Sequence, residues 1–240
     1  MGGFFWQVND TLAGVQNRLG FVFFALAIFG FGSISSLETF SAERLIFMAE
    51  RSNGYYGPLA YFVAKIIFDN VPLRIFPSIF FTCIAYFMVG FQNSADHFFK
   101  FLLILVLFNL TSGSFVVVFA SVFKNKGVAN LTASLAMLFS LLFSGFLINK
   151  DDMPAALVWI QYLSYFNYAF EAMVVNELTG IIIVDEAAGI TINVQAQVII
   201  EIFGFNISAY WRDVGILAGF YVFYLLLSFL ALKFLIKEKR

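Results

Sequence analysis

The segment FLLILVLFNLTSGSFVVVFASVF (Phe101–Phe123) contains no charged side chain. A helix needs about 20 mostly apolar residues to cross a bilayer, and this run meets that need. Working outward, the same reading applies to LGFVFFALAIFGFGSISSL (Leu19–Leu37), to 127–149 and to 214–236, whose core Val214–Leu232 is uncharged. It also applies to 59–91, an apolar run interrupted by Lys65, Asp69, Arg74, Pro72 and Pro77. The expected fold is therefore an all-α polytopic membrane protein with five full spans. Residues 1–6 are read as the last turns of an earlier span; no basic region of the kind that opens a secretory signal precedes them.

Composition supports this reading. Hydrophobic residues make up 61% of the 240-residue chain and charged ones 12%, against about 45–50% and about 25% in soluble domains. Soluble, disordered, collagen-like and disulfide-rich classes are excluded. The net charge of −1 argues against nucleic acid, which needs a concentrated basic surface. A single cysteine, Cys83, cannot form an internal disulfide or a thiolate metal site. The single histidine, His97, lies in a polar break and reads as an interfacial loop residue. No phosphate-binding Gly-x-x-x-x-Gly-Lys-Ser/Thr loop and no His-Glu-x-x-His pattern occurs. The chain is expected to hold no catalytic residue, metal or cofactor of its own.

Orientation follows the basic residues in short loops. Placing 41–58, 124–126 and the C-terminus on the cytosolic side collects Arg44, Arg51, Lys124, Lys126, Lys233, Lys237, Lys239 and Arg240 there. The opposite side keeps Arg18, Lys100, Lys150 and Arg212. Residues 154–212 then lie outside. Their first part is apolar but carries Gln161, Asn167, Glu171, Asn176 and Glu177, so it is read as a re-entrant hairpin, with irregular backbone covered by protein or water. Asn9-Asp10-Thr11 and Asn206-Ile207-Ser208 are possible glycosylation sites on that side.

Ionisable groups within a span mark function or a route to water, because burying a charge at mid-bilayer costs at least ~2.5–3.5 kcal/mol. Lys65 and Asp69 are four residues apart and can neutralise each other on one helix face. Arg74 follows Pro72, where a kink could offer it backbone carbonyls. All three could equally snorkel to the cytosolic surface. Residues 41–56 form an amphipathic cytosolic helix ended by Asn53-Gly54, suited to docking a soluble partner or to lying on the membrane.

The order of several short segments adds to this. Asn17-Arg18-Leu19-Gly20, Glu43-Arg44 with Phe47 and Glu50, and Gly54-Tyr55-Tyr56 are followed by Pro77-Ser78-Ile79 and Tyr86–Gly90. Then come Ser144-Gly145-Phe146, Tyr162–Tyr165 and Asn176-Glu177. The set resembles the G subfamily of ABC transporters, nearest the white and breast-cancer-resistance-protein branch, from about residue 4 to residue 236. The resemblance implies an ABC-2 type membrane domain of a half-transporter. An N-terminal domain that binds ATP and Mg, absent from this chain, would precede it. Two such halves, identical or different, would pair around a path for lipids, sterols or amphipathic small molecules. The membrane would be the plasma membrane or that of an organelle, with the C-terminus cytosolic.

The resemblance also suggests roles. Phe31 matches a phenylalanine that clamps flat apolar substrates, in a cavity with Phe24, Ile28, Met137 and Leu141. Ile28 stands where the family has an asparagine. Gly145, Phe146 and Leu147 match the plug above that cavity, with Phe146 replacing a leucine. Glu43, Arg44, Phe47, Glu50 and Arg51 match the region that meets the ATPase domain. Residues 177–212 lack the cysteines of the family's outer loop, so that loop is expected to hold by packing alone. A rival reading from another class is an ion-coupled secondary transporter or channel with Lys65, Asp69 and Arg74 as its relay.

Overall fold

The fold is seen in a computed structural model that describes residues 2–3, 5–147, 158–187 and 190–234. Helix α1 (Leu12–Gly32) starts at Thr11, whose Oγ1 accepts the Gly14 N–H at 3.1 Å and so satisfies one of the unpaired donors of the first turn. The chain breaks at Ser33-Ile34 and resumes as α2 (Ser35–Ser52). At the break the Ser33 hydroxyl donates back to the Phe29 carbonyl at 2.8 Å, a contact that bends helices. The expected span 19–37 is thus split near its end, and the helix expected at 41–56 begins at Ser35.

Pro58 opens α3 (Pro58–Lys65) with its missing N–H at no cost. A π-turn (Ile66–Asn70) joins α3 to α4 (Val71–Val89), with the Val71 N–H reaching back to the Ile66 carbonyl. Gly90 ends α4 in the left-handed region, at φ 76°. Helix α5 (Ala95–Val122) is the hub: α1, α2, α4, α6, α8 and α10 all touch it. Phe101, Ile104, Leu105 and Phe108 fill its buried face. Helix α6 (Lys126–Leu142) is capped by Asn125, whose Oδ1 accepts the Gly127 N–H at 2.8 Å.

Beyond α6 come α7 (Val158–Gln161) and α8 (Tyr165–Leu178). Strands β1 (Ile182–Ala187) and β2 (Ile190–Gln195) follow, then α9 (Gln197–Ile202) and α10 (Tyr210–Phe234). The strands pair antiparallel, Ile182 opposite Gln195. Every residue of α8 is buried.

Four helical runs among the described residues are long and apolar enough to cross a membrane: Leu12–Ser52 taken together, Pro58–Val89, Ala95–Val122 and Tyr210–Phe234. The fifth expected span, 127–149, is shorter, since α6 has 17 residues and would extend only about 25 Å at 1.5 Å per residue. After Phe143 the chain turns at Gly145, at φ 90°; residues 148–149 lie outside the described part. Gly2, Gly3, Phe5 and Trp6 form turns and loop where a helix end was expected; Met1 and Phe4 are not described. Residues 154–157 of the expected hairpin and 235–236 of the last span also lie outside the described residues. The loop 177–212 does not hold by packing alone. Besides the β1–β2 ladder, the Val184 N–H donates to the Asp10 carbonyl at 2.9 Å.

Candidate functional site: charged clasps and an open apolar face

Charged clusters tie the helices together, and the first lies where α2 meets α3. Lys65 Nζ lies 2.7 Å from Glu43 Oε1 and also pairs with Asp69. The i,i+4 pair expected from sequence is present, with a second carboxylate that sequence spacing did not reveal. Tyr61 donates to Glu43 Oε2 at 3.3 Å, and Phe47 stacks on the Tyr61 ring at 4.4 Å between centroids.

Arg74 is buried on α4 and satisfies the α1–α2 break. Its Nη2 donates to the Ser33 carbonyl at 3.1 Å and to the Ser35 and Ser36 hydroxyls. Asn109 of α5 joins them, donating to the Arg74 carbonyl at 2.9 Å and to Ser78 Oγ at 3.1 Å. Gly113 leaves the room: a Cβ there would stand 3.0 Å from both Arg74 Nε and Asn70 Oδ1. The expectation that Arg74 finds backbone carbonyls at a kink is met at a different kink, the one between α1 and α2.

The residues expected to face the ATPase domain also make contacts within the chain. Arg44 donates to the Phe123 carbonyl at 2.8 Å and the Ala120 carbonyl at 3.3 Å, capping the last turn of α5 where a cation is favoured. Arg51 reaches the Leu232 and Lys233 carbonyls of α10 at 3.4 Å. Phe47 is buried, and Glu50 accepts from Tyr56. What α2 leaves uncovered is the line Glu38, Ala42, Ile46 and Ala49.

At the far end of the helices Arg18 is buried, 2.9 Å from Glu177 Oε1 and 2.7 Å from Asp10 Oδ1. Gln92 closes the cluster, its N–H donating to Glu177 Oε1 at 3.0 Å. Burial pushes the Glu177 carboxyl up to about 8, against the pull of the Arg18 guanidinium and the Gln92 N–H. Glu171, also on α8, accepts from Arg212 Nη2 at 3.1 Å and from the Asn206 N–H at 3.0 Å. Asn206 and Asn9 are both exposed. His97 lies in the first turn of α5, where its carbonyl accepts from Asn176 at 3.0 Å.

The expected cavity residues separate into two sets. Phe24 and Ile28, each 53% exposed, lie one turn apart on α1, and Phe31 is half-buried a turn further on. Met137 and Leu141 are buried within the chain, so they do not line an open surface here. The uncovered side of α6 is Leu131, Leu135, Leu138 and Phe139. Phe146 stacks on Phe23 at 4.8 Å and meets Phe170 edge-on at 5.6 Å; Leu147 is exposed. The turn after α6 is therefore seated on α1 beside Phe24. Gly30 allows α8 close to α1, since a Cβ there would fall 2.6 Å from Phe166 Cζ.

The architecture is mostly helical, with four helical runs apolar and long enough to cross a membrane, a clasped helix pair and the buried helix α8. The sequence profile of ABC-2 type transporters matches residues 1–178, and that of CDR ABC transporters matches 188–240. The chain belongs to the ABC-2 type transporter family, and its relatives are G-type ABC transporters. A probable ATP-dependent permease of Saccharomyces cerevisiae is 37% identical over all of this chain and 23% of its own length. ABC transporter G family member 24 of Dictyostelium discoideum is 35% identical over all of this chain and 21% of its own. The broad substrate specificity ATP-binding cassette transporter ABCG2 of Mus musculus is 36% identical over 75% of this chain and 27% of its own. The chain thus spans about a quarter of the length of these relatives.

Proposed function

We propose that this chain is the membrane-crossing half of an ATP-driven exporter of lipids, sterols or amphipathic small molecules, working as a dimer of half-transporters. ATP and Mg would bind a domain outside this chain. The carrying observation is the uncovered apolar side of α1 and α6. These two helices touch, each leaves large apolar side chains open, and Phe146 sits over α1 at their end. Two copies facing each other would enclose an aromatic-walled cavity, with Phe24, Ile28 and Phe31 on each wall. Such walls bind flat hydrophobic ligands by area and stacking with little directional demand. Ile28 offers no hydrogen bond, so the preferred ligands are apolar.

On this reading the Ala42–Ile46–Ala49 side of α2 meets the ATPase domain. Arg44 and Arg51 make α2 rigid with α5 and α10, so a push on α2 is passed to two long helices at once. The Arg18–Glu177 cluster would face outside, the C-terminus would be cytosolic, and α7–α8 would dip into the membrane from outside. The membrane concerned is the plasma membrane or that of an organelle. An ion relay through Lys65, Asp69 and Arg74 finds no supporting geometry: the first two are paired with each other and Arg74 is fixed to neutral oxygens.

The test is ATP-dependent uptake of a fluorescent lipid or sterol into inside-out vesicles carrying the full-length protein, with Phe31→Ala beside it. Phe31→Ala should cut transport several-fold and leave the dimer intact on size-exclusion chromatography. Uptake driven by an ion gradient without ATP would sink the reading.

A further inference from the structure

We infer that the groove between α2 and the π-turn is a binding site for the headgroup of a zwitterionic phospholipid, with the phosphate at Arg74 and the ammonium at Asp69 and Glu43. Two adjoining hollows form this groove. One, about 100 Å³, is lined by Ser35, Ser36, Asn70 and Arg74 among others. The other, about 380 Å³, is lined by Glu43, Tyr61 and Phe68 among others. Thr39, Lys65 and Asp69 line both.

The two ends differ in charge. Arg74 forms no ion pair among the described residues, and its Nε has no hydrogen-bond partner there. Arg74 donates hydrogen bonds to neutral oxygens only, while Asp69, in the same hollow, acts on it through space; a charge-assisted bond to a phosphate oxygen would add a direct anionic partner. Asn70, 7% exposed, lines the same hollow with neither Oδ1 nor Nδ2 partnered. Its Nδ2 can donate to the same phosphate. At the other end Lys65 is shared between two carboxylates, which leaves one excess negative charge beside the Tyr61 ring. An ammonium group fits there, drawn by the carboxylates and by the aromatic face. The 81% exposed Phe68 opens this end to the surrounding lipid. A purely anionic headgroup would meet repulsion from Asp69 and Glu43, and a soluble cation would meet it from Arg74.

The inference does not rest on the exporter reading, because the groove lies on α2, α3 and α4, away from Phe24 and Ile28, and its readout is binding. Full-length protein in mild detergent is titrated with phosphatidylethanolamine, phosphatidylglycerol and diacylglycerol, and retained lipid is counted by native mass spectrometry. Phosphatidylethanolamine should be retained about tenfold better than either of the others, the effect of losing one charged contact. Arg74→Gln should remove that preference. Asn70→Leu, which replaces an unpartnered buried amide with an apolar side chain of similar size, should lower it with no loss of folding. Equal retention of all three lipids, or better retention of phosphatidylglycerol, overturns the proposal. So does complete displacement by inorganic phosphate, which would mark a free-anion site, and so does an unchanged preference in Asn70→Leu.

Discussion

Arg74 Nη2 donates to the Ser33 carbonyl at 3.1 Å, across the break where α1 ends and α2 has not yet begun. One guanidinium on α4 thus completes the backbone of a different helix, 41 residues earlier in the chain. The bend between the membrane-crossing and surface portions of α1–α2 is held by that side chain together with Asn109, which donates to the Arg74 carbonyl.

Arg74→Met should destabilise the protein by roughly 1–3 kcal/mol, the cost of leaving buried oxygens unsatisfied. Arg74→Lys should recover part of it. Thermal unfolding of the purified full-length protein followed by intrinsic fluorescence checks both, and an unchanged midpoint for Arg74→Met would show that the bend holds without its donor.

Gly30→Ala should cost roughly 1–3 kcal/mol through overpacking, because the new methyl would lie 2.6 Å from Phe166 Cζ. Combining it with Phe166→Leu should return most of the loss, the coupling expected of residues in contact. Additive losses in the double variant would exclude that contact as the cause.

Glu177 predicts a pH dependence. Its carboxyl is raised by burial from 4.5 to about 8 in the folded state, so the folded protein binds the proton more tightly than the unfolded chain. The stability this supplies is fully present below about 4.5 and is lost as pH rises through about 8. Glu177→Gln cannot titrate and should flatten the decline in melting temperature over that window. Parallel curves for the two proteins would refute the assignment.

Ile46→Asp changes an exposed residue of α2 and should leave stability within the about 0.5 kcal/mol typical of surface substitutions. Substrate-stimulated ATPase activity of the full-length protein should nonetheless fall several-fold. Arg44→Ala should do the reverse in its first effect, lowering stability through the freed carbonyls of Ala120 and Phe123. Normal stimulation in Ile46→Asp would move the ATPase contact off this side of α2.

What could be read from the sequence was whatever has a short period. The charge-free run Phe101–Phe123 lies within one helix up to Val122, Lys65 and Asp69 pair at helical spacing, and Asn53-Gly54 closes α2. Partners distant along the chain could not be read. Nothing near Lys65 points to Glu43, and nothing near Glu171 points to Arg212, 41 residues on. The partners of α2 within the chain were hidden for a related reason. Arg44 and Arg51 look like surface charges by composition, but helix ends leave carbonyls that attract such side chains, and the ends of α5 and α10 come to α2 only in three dimensions. Met137 against Leu138 shows the same limit, since two adjacent apolar side chains do not reveal which of them faces a neighbour.

The π-turn at Ile66–Asn70 amounts to one residue inserted into an otherwise continuous screw, and each residue of an α-helix turns it by about 100°. Lys65 and Arg74 can therefore address different neighbours, Glu43 and Ser33, from one run of chain. Deleting Ile67 alone would restore the regular thread and rotate everything from Val71 onward by about a quarter turn or slightly more. No substitution of a side chain could do the same. Arg74 would then swing off the α1–α2 bend while keeping its place in the order of the chain, so for this helix the number of residues in the turn matters as much as their identity.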